Sequence, residues 1–492
     1  MKRILLISAA LLCASGCATA PPLRAPDATP PPAYEAPAPV ADGLKPANLD
    51  DWWKLYNDRQ LDVLVDEALA NAPDAKTAFA VLDQAAAVRK ETLYQVYMPT
   101  STAEGSATRT YTTQLGSSST FGQIFAPPGA TDNYSADFGV SWELDLWGRR
   151  SAKHRVADAD FYTAAFTYEA TRTSLIANVA NSLFEARGLA AQLDDANETS
   201  RIDHELARIA EVKFKAGLGN RGDFDQAAAT AQAVDAQAES LRSQLLAAQR
   251  ALLVLIGRGF DKVESLPATS DVGAPPPVPA SVPGDLLRRR PDVKEAEWRI
   301  ASAMSTLKVD ELAVLPTINL DPGLTLTKST GPFGYASAAW SLGGNLTQPV
   351  LDRPRLLQQV HAQRAVAEQE LIAYETAVQT AYSDVETAFT YLDSDSKRVR
   401  MLVEAEARAK SAYDSARISY ARGLTDITSA LQAETTWRSI RLQLTQAEIS
   451  LMERSVQVFK ALGGGWTPNR PAISTPFAAT AANGATTSKG TR

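Results

Sequence analysis

Residues 214–257 and 420–463 align without a gap at a constant offset of 206. Gly217 then meets Gly423, Leu218 meets Leu424, Gln226-Ala227 meets Gln432-Ala433, and Gly257 meets Gly463. The same offset pairs Tyr168-Glu169 with Tyr374-Glu375 and Val179 with Val385. Further upstream, Met98-Pro99-Thr100 resembles Leu315-Pro316-Thr317. The chain is two halves of about 200 residues, joined by the Pro-rich segment 275–283. A period this long marks a duplicated domain, because small solenoid units repeat every ~20–50 residues. Any fold must therefore place each element twice.

The order of elements is the same in both halves. A helical stretch comes first, at 60–96 and 291–313. Strand character follows. Phe138, Val140, Trp142, Leu144 and Leu146 alternate with Gly139, Ser141, Glu143 and Asp145, a period of two with one apolar and one polar face. Segments 101–113 and 317–327 are Thr-rich strand candidates, and Gly, Ser and Pro mark loops at 114–133 and 328–335. Four strands cannot close a barrel alone. The alternation by itself fits a lipid-facing strand or a half-buried sheet of a soluble domain.

Each half then carries a long helical stretch, 149–216 and 353–421, nearly free of Gly and Pro. Gly188 interrupts the first, and Pro354 stands at the start of the second, where proline is tolerated. Each is roughly 100 Å long at a helical rise of 1.5 Å per residue. A bilayer core is only ~30 Å thick, so helices this long and charged do not belong in lipid. Gly217 and Gly423 end them, and return helices are predicted at 222–256 and 425–462. Alanines at 227, 228, 229, 231, 233, 236 and 238 suit close helix packing, as in a coiled coil, although propensity alone also favours them.

Composition narrows the function. Apolar residues at 45% and charged residues at 21% exclude a disordered chain. A net charge of −7 argues against nucleic acid as a partner. His154, His204 and His361 share no ligand spacing, and Cys13 and Cys17 are the only cysteines, so neither metal nor thiolate chemistry is expected. There is no Gly-rich phosphate loop with Lys-Ser/Thr, and no catalytic constellation. No apolar run of 18 residues follows the N-terminus, so any membrane crossing must use strands closed into a barrel.

The N-terminus reads as an address. Lys2-Arg3, the apolar stretch Ile4–Leu12 and small residues before Cys17 make a signal peptide over 1–16. Ala14-Ser15-Gly16-Cys17 resembles a bacterial lipobox, which makes Cys17 the lipidation site and the first mature residue. A plain signal cleaved near Ala18 or Ala20 is the alternative. Residues 17–47 are then a lipid anchor and an extended, unpacked Pro-rich tether, with Ala18 after the cysteine favouring the outer membrane. The lipoprotein address tips the strand reading toward lipid.

Several motifs together resemble the outer-membrane factor family, the TolC-like channels, in its lipoprotein (NodT-like) branch. They are Trp52-Trp53 with Asp58, Leu61, Leu64 and Ala68; Ser141 to Arg149; Leu287 to Val293 with Ala296-Glu297; and Gly423-Leu424-Thr425-Asp426. The resemblance covers about residues 48–465. It divides the chain into a first repeat at 48–274, a linker at 275–290, a second repeat at 291–465 and a disordered tail at 466–492. It implies a mainly α fold with a membrane β portion. Duplicated long helical hairpins form a periplasmic α-barrel, and four strands per chain contribute to a trimeric twelve-stranded β-barrel. Glu143 and Asp145 would line its water-filled interior.

What the resemblance implies for function is a passive export duct of a tripartite efflux system, not an enzyme and without a cofactor. Its partners would be two further copies of itself, a periplasmic adaptor, an inner-membrane pump of the RND type and outer-membrane lipid. Gating is expected at the hairpin tips. Asp223 and Asp426 fall on acidic family positions, Gln432 stands where the family usually has Asp, Ser429 occupies another sometimes acidic place, and Arg221 and Arg422 are the candidate partners. Asp223, Asp426, Arg221 and Arg422 are also ordinary hairpin-tip charges in the blander reading. Rival classes are a periplasmic adaptor or scaffold and a lipid-anchored hydrolase, and protein secretion is a nearer alternative to efflux.

Overall fold

The computed structural model describes residues 24–36, 49–113, 129–278, 283–330 and 334–467. Cys17, the signal peptide 1–16 and the tail beyond 467 lie outside the described residues. The helices are α1 (Arg59–Asn71), α2 (Pro73–Tyr97), α3 (Arg149–Lys215), α4 (Arg221–Leu255), α5 (Leu286–Arg289), α6 (Pro291–Leu312), α7 (Arg353–Ala421) and α8 (Ile427–Ala461). The strands are β1 (Thr100–Thr112), β2 (Gly129–Leu144), β3 (Thr317–Thr330) and β4 (Tyr335–Thr347). The chain divides into two compact units. One is Met1–Pro26, Gln84–Phe161 and Trp298–Ile372; the other is Asp27–Asp83, Tyr162–Glu297 and Ala373–Arg492.

The first unit holds a four-stranded antiparallel sheet in the order β1-β2-β3-β4. Each repeat supplies one hairpin, and β2 pairs with β3 to join them. Both hairpins extend further than the sequence suggested. β2 begins at Gly129, inside the stretch read as a loop to 133, and β3 runs to Thr330. β2 also ends earlier, at Leu144, because Asp145 turns the chain. Its carboxylate accepts the backbone N–H groups of Arg150 (2.8 Å) and Ser151 (3.0 Å), satisfying orphan donors of the first turn of α3. Asp145 therefore caps a helix and does not line a strand face. The expectation for Glu143 is also refined: Arg149 binds its two carboxylate oxygens, each at 2.7 Å.

The second unit contains the main apolar core. Trp52, Trp53, Leu61, Leu64 and Ala68 are buried in it, so this opening motif is structural. Trp52 stacks on Phe459 with ring centroids 5.4 Å apart. Asp58 caps α1 by accepting from Gln60 N–H and Leu61 N–H, and it pairs with the Arg187 guanidinium. The Arg-Pro-Asp motif is likewise structural. Arg290 bridges Asp292 (2.6 Å) and Asp384 (2.9 Å), with Pro291 opening α6. The duplication persists in detail. A Cβ on Gly257 would stand 2.5 Å from the carbonyl of Asn71, and one on Gly463 would stand 2.7 Å from that of Arg289.

Two sequence expectations change here. Gly188 does not interrupt α3, which runs unbroken from Arg149 to Lys215. It sits where Ile449 of α8 presses into the place a Cβ would occupy, so the missing side chain permits a close approach. The Pro-rich tether is also not wholly unpacked. Residues 24–36 are irregular in backbone, as expected, yet the N–H groups of Glu35 and Ala36 donate to Glu386 at 2.7 and 2.8 Å. Tyr34 stacks on Tyr382 and meets Phe389 edge-on.

Candidate functional site

The sheet is two-faced. Ala103, Phe138, Leu324 and Trp340 form one row across all four strands. Trp142 and Leu320 pair on the same face, as do Pro322 and Leu342. Phe138, Trp142, Leu324, Leu326, Trp340, Leu342 and Leu346 are all exposed, so among the described residues this apolar face has no cover. Charges enter it only at Arg109, Asp132 and Lys328, near one rim. The opposite face carries Thr102, Glu104, Ser106, Asp137, Ser141, Glu143, Asn319, Asp321, Thr325 and Ser341, with no Lys or Arg among the strand residues. Ser141 donates to Asp321 at 2.7 Å, and Ser135 donates to Asp137 at 3.0 Å. Among the described residues, neither the outer edge of β1 nor that of β4 has a partner strand.

The hairpin tips form a second feature, within the other unit. α3 turns into α4 at Gly217, and α7 turns into α8 at Gly423, with φ of +72° and +77°. Those are left-handed conformations that a Cβ penalises. The turns are copies of each other: Leu218 N–H donates to Lys213 O (2.8 Å), and Leu424 N–H donates to Ser419 O (2.9 Å). Asn220 caps α4 by accepting Asp223 N–H at 2.8 Å, and Asp426 caps α8 by accepting Ser429 N–H at 3.0 Å. Leu206, Ala207, Ala210, Ala227, Tyr420, Ile427, Ala430 and Leu431 make a small core joining the two hairpins. Lys213 of α3 clasps the end of α7. Its Nζ donates to Tyr420 O at 2.7 Å and lies 3.8 Å from the centre of the Tyr420 ring.

A third cluster lies further along the same helices. Asp203 of α3 and Glu434 of α8 are buried, with side chains fully shielded from solvent, and share Arg438 at 3.8 and 3.3 Å. Burial pushes Asp203 up to about 6, with the Asp235 charge adding to the rise, and burial and the Asp203 charge push Glu434 up to about 7. Among the described residues, no group of three or more His, Cys, Asp or Glu side chains is placed to hold a metal ion. Among the described residues, no helix is long and apolar enough to cross a membrane.

The outer membrane efflux protein family matches residues 64–258 and 282–464, most of both repeats. The chain belongs to that family. It is 26% identical over 474 residues to the pyoverdine export outer membrane protein OpmQ of Pseudomonas aeruginosa, covering 96% of this chain and 99% of that one. It is 24% identical to the cation efflux system protein CusC of Escherichia coli, over 84% of this chain and 88% of the other. Among solved structures, the outer-membrane channel OprN superposes with a TM-score of 0.79 at 27% identity, over 91% and 99% of the two chains. The CmeC outer membrane channel of Campylobacter jejuni reaches 0.82 at 22% identity, over 92% and 96%, which shows the shared fold. This member of the efflux family is thus an outer-membrane channel of an efflux system, located in the outer membrane. Members of the family are passive channels rather than enzymes.

The tip residues named from sequence make separate local contacts in this efflux protein. Asp426 is engaged in capping α8, and Ser429, whose N–H and Oγ both donate to it, holds its carboxyl below the usual range. Arg221 pairs with Asp225 (3.4 Å), not with Asp223. Asp223 lies in the first turn of α4 and Gln432 is exposed on α8. Arg422 is exposed and, among the described residues, forms no ion pair. Lys213, Tyr420, Asp203 and Glu434 were not singled out from sequence. Tyr420 did leave a signal: it aligns with Phe214 in the repeat, three places before each glycine. Phe214 is 41% exposed and Tyr420 only 4%, so the two copies use that position differently.

Proposed function

We propose that this protein is a lipid-anchored homotrimeric export duct that carries small molecules from an inner-membrane pump and a periplasmic adaptor to the exterior. The observation that carries this reading is the sheet: among the described residues, one face is apolar and exposed, the other is polar, and both edges are unpaired. In hydrocarbon an unpaired edge leaves a row of N–H and C=O groups without partners, each costing several kcal/mol. Closure with other copies removes the edges, and three sheets of four strands give twelve, an even number within the range of single barrels. The polar face then lines water. The paired hairpins line the periplasmic conduit, and Cys17 carries the anchor. Energy comes from the pump, of the RND type, in keeping with a sequence that carries no Gly-rich phosphate loop with Lys-Ser/Thr.

The relatives OpmQ and CusC are named for pyoverdine export and cation efflux, and export of small molecules is what they share. At the tips, the Lys213–Tyr420 clasp holds the two hairpins of one chain together, and Asp223, Arg221, Asp426, Arg422 and Gln432 are the proposed gate residues. The deciding experiment is conductance of the detergent-extracted protein in planar bilayers, with its mass measured in parallel. A trimer with small, mostly closed openings supports the duct, and Lys213→Ala then raises open probability. A monomer that never conducts would return the chain to the adaptor or scaffold class.

A further inference from the structure

We propose that the Asp203–Arg438–Glu434 contact is a proton-operated clasp between the two hairpins, tight when the carboxyls carry protons and loose when both ionise. Asp203 lies on α3 of the first hairpin, and Glu434 and Arg438 lie on α8 of the second. Among the described residues, all four carboxylate oxygens of Asp203 and Glu434 are buried without a hydrogen-bond partner, as is the Tyr413 hydroxyl of α7. One guanidinium serves two carboxylates, at 3.3 and 3.8 Å, so the doubly ionised cluster holds an excess negative charge out of water. A structural seam would not need this arrangement. The neighbouring rung of the same seam shows the contrast, because Arg441 of α8 meets Asp195 of α3 one to one.

The surroundings add charges of both signs. Asp203 feels Arg438 of α8, His204 beside it on α3 and Asp235 of α4, the last of which holds His204 at 2.9 Å. Tyr413 feels Arg417 and Asp414 of its own helix. Trp437 of α8 stacks on Tyr413 and donates to Glu406 of α7, with Lys410 and Arg441 against its ring. None of these gives the two buried carboxylates a second cation at hydrogen-bond distance.

The sign follows from linkage. Both carboxyls bind protons more tightly in the packed seam than in water, where they ionise near pH 4. The packed seam is therefore most favoured below that range. It loses its advantage as pH rises through about 6 and 7, the values of Asp203 and Glu434. Proton affinity that packing raises tenfold tilts the balance between packed and parted seams by the same factor. The effect on conduction rests on the channel reading above; the clasp itself does not.

The test has two arms on the full-length protein. In detergent, amide hydrogen exchange is followed over 199–207 and 431–438 from pH 5 to pH 8, corrected for intrinsic rates. Protection should fall by at least about tenfold across that range. The Asp203→Asn/Glu434→Gln pair should make protection flat. In bilayers, open probability should rise by a similar factor in the native protein and stay low in the pair. His204→Asn, which removes the imidazole beside Asp203 and its contact with Asp235, should leave both responses intact. Flat protection in the native protein overturns the clasp whether or not the pair folds. A slope retained by the pair, or abolished by His204→Asn, does the same. Native protection that falls as expected in a protein that never conducts supports the clasp and sinks the channel reading.

Discussion

A single half-buried carboxylate shows how a recognisable motif residue works in this fold. Asp58 caps α1 and pairs with Arg187 in a half-buried setting. Burial alone would raise its carboxyl, but Arg187 and the Leu61 and Gln60 N–H groups hold it below the usual range. A depressed value contributes stability above the ordinary carboxylate pKa, and that contribution is lost as pH falls through the folded value. Asp58→Asn should therefore lower the midpoint of chemical unfolding at pH 7 by an amount equivalent to about 2–3 kcal/mol. The gap to the native protein should close in strong acid; a gap that is constant with pH would show that the ion pair is not its source. Gly188 presents the opposite case, where what matters is an absent side chain. Gly188→Val should cost about 1–3 kcal/mol through overpacking against Ile449. Ile449→Ala in the same chain should return part of that loss, and unfolding midpoints of the single and double variants would show whether it does.

At the scale of elements, the sheet and the strap make separate predictions. Trp340 lies on the apolar face and Ser341, the next residue, on the polar one. Trp340→Arg should impair assembly in the membrane, with a cost of about 2–4 kcal/mol near the bilayer midplane, whereas Ser341→Arg should assemble normally and alter conductance. Equal assembly of both variants would remove the assignment of faces. The N-terminal strap depends on Glu386, which burial would raise but which the Glu35 N–H, Tyr382 and the Ala36 N–H hold low. Glu386→Ala should release residues 24–36 from α7, measured as faster limited proteolysis after Arg24. An unchanged cleavage rate would mean that the aromatic contacts of Tyr34 suffice.

For the whole molecule, the open edges of β1 and β4 are the constraint. Cys13 and Cys17 are the only native cysteines, so new thiols can be placed on a nearly silent background. With Ser106→Cys on β1 and Ser341→Cys on β4, a thiol cross-linker should produce species of two and three chain masses and none beyond. A ladder that continues past three, or stops at two, would exclude the twelve-stranded barrel.

The sequence by itself determined the duplication, the helix lengths and the two-faced strands. These are properties of local pattern: a gapless 206-residue offset, the scarcity of Gly and Pro, and a period of two are each readable from neighbours along the chain. The tip glycines were legible for the same reason, because a left-handed turn selects glycine locally. Which charges meet was not legible. Asp426 caps α8 and Asp145 caps α3, contacts that the strand and tip patterns did not name. Lys213 and Tyr420 are 207 residues apart, and Asp203 and Arg438 lie on different hairpins. Only packing decides such pairs, because burial sets the energy of a charge and burial depends on which helices lie side by side. The tertiary structure also turned Gly188 from an expected break into a point of contact, since the room it leaves is filled by Ile449 from the other repeat.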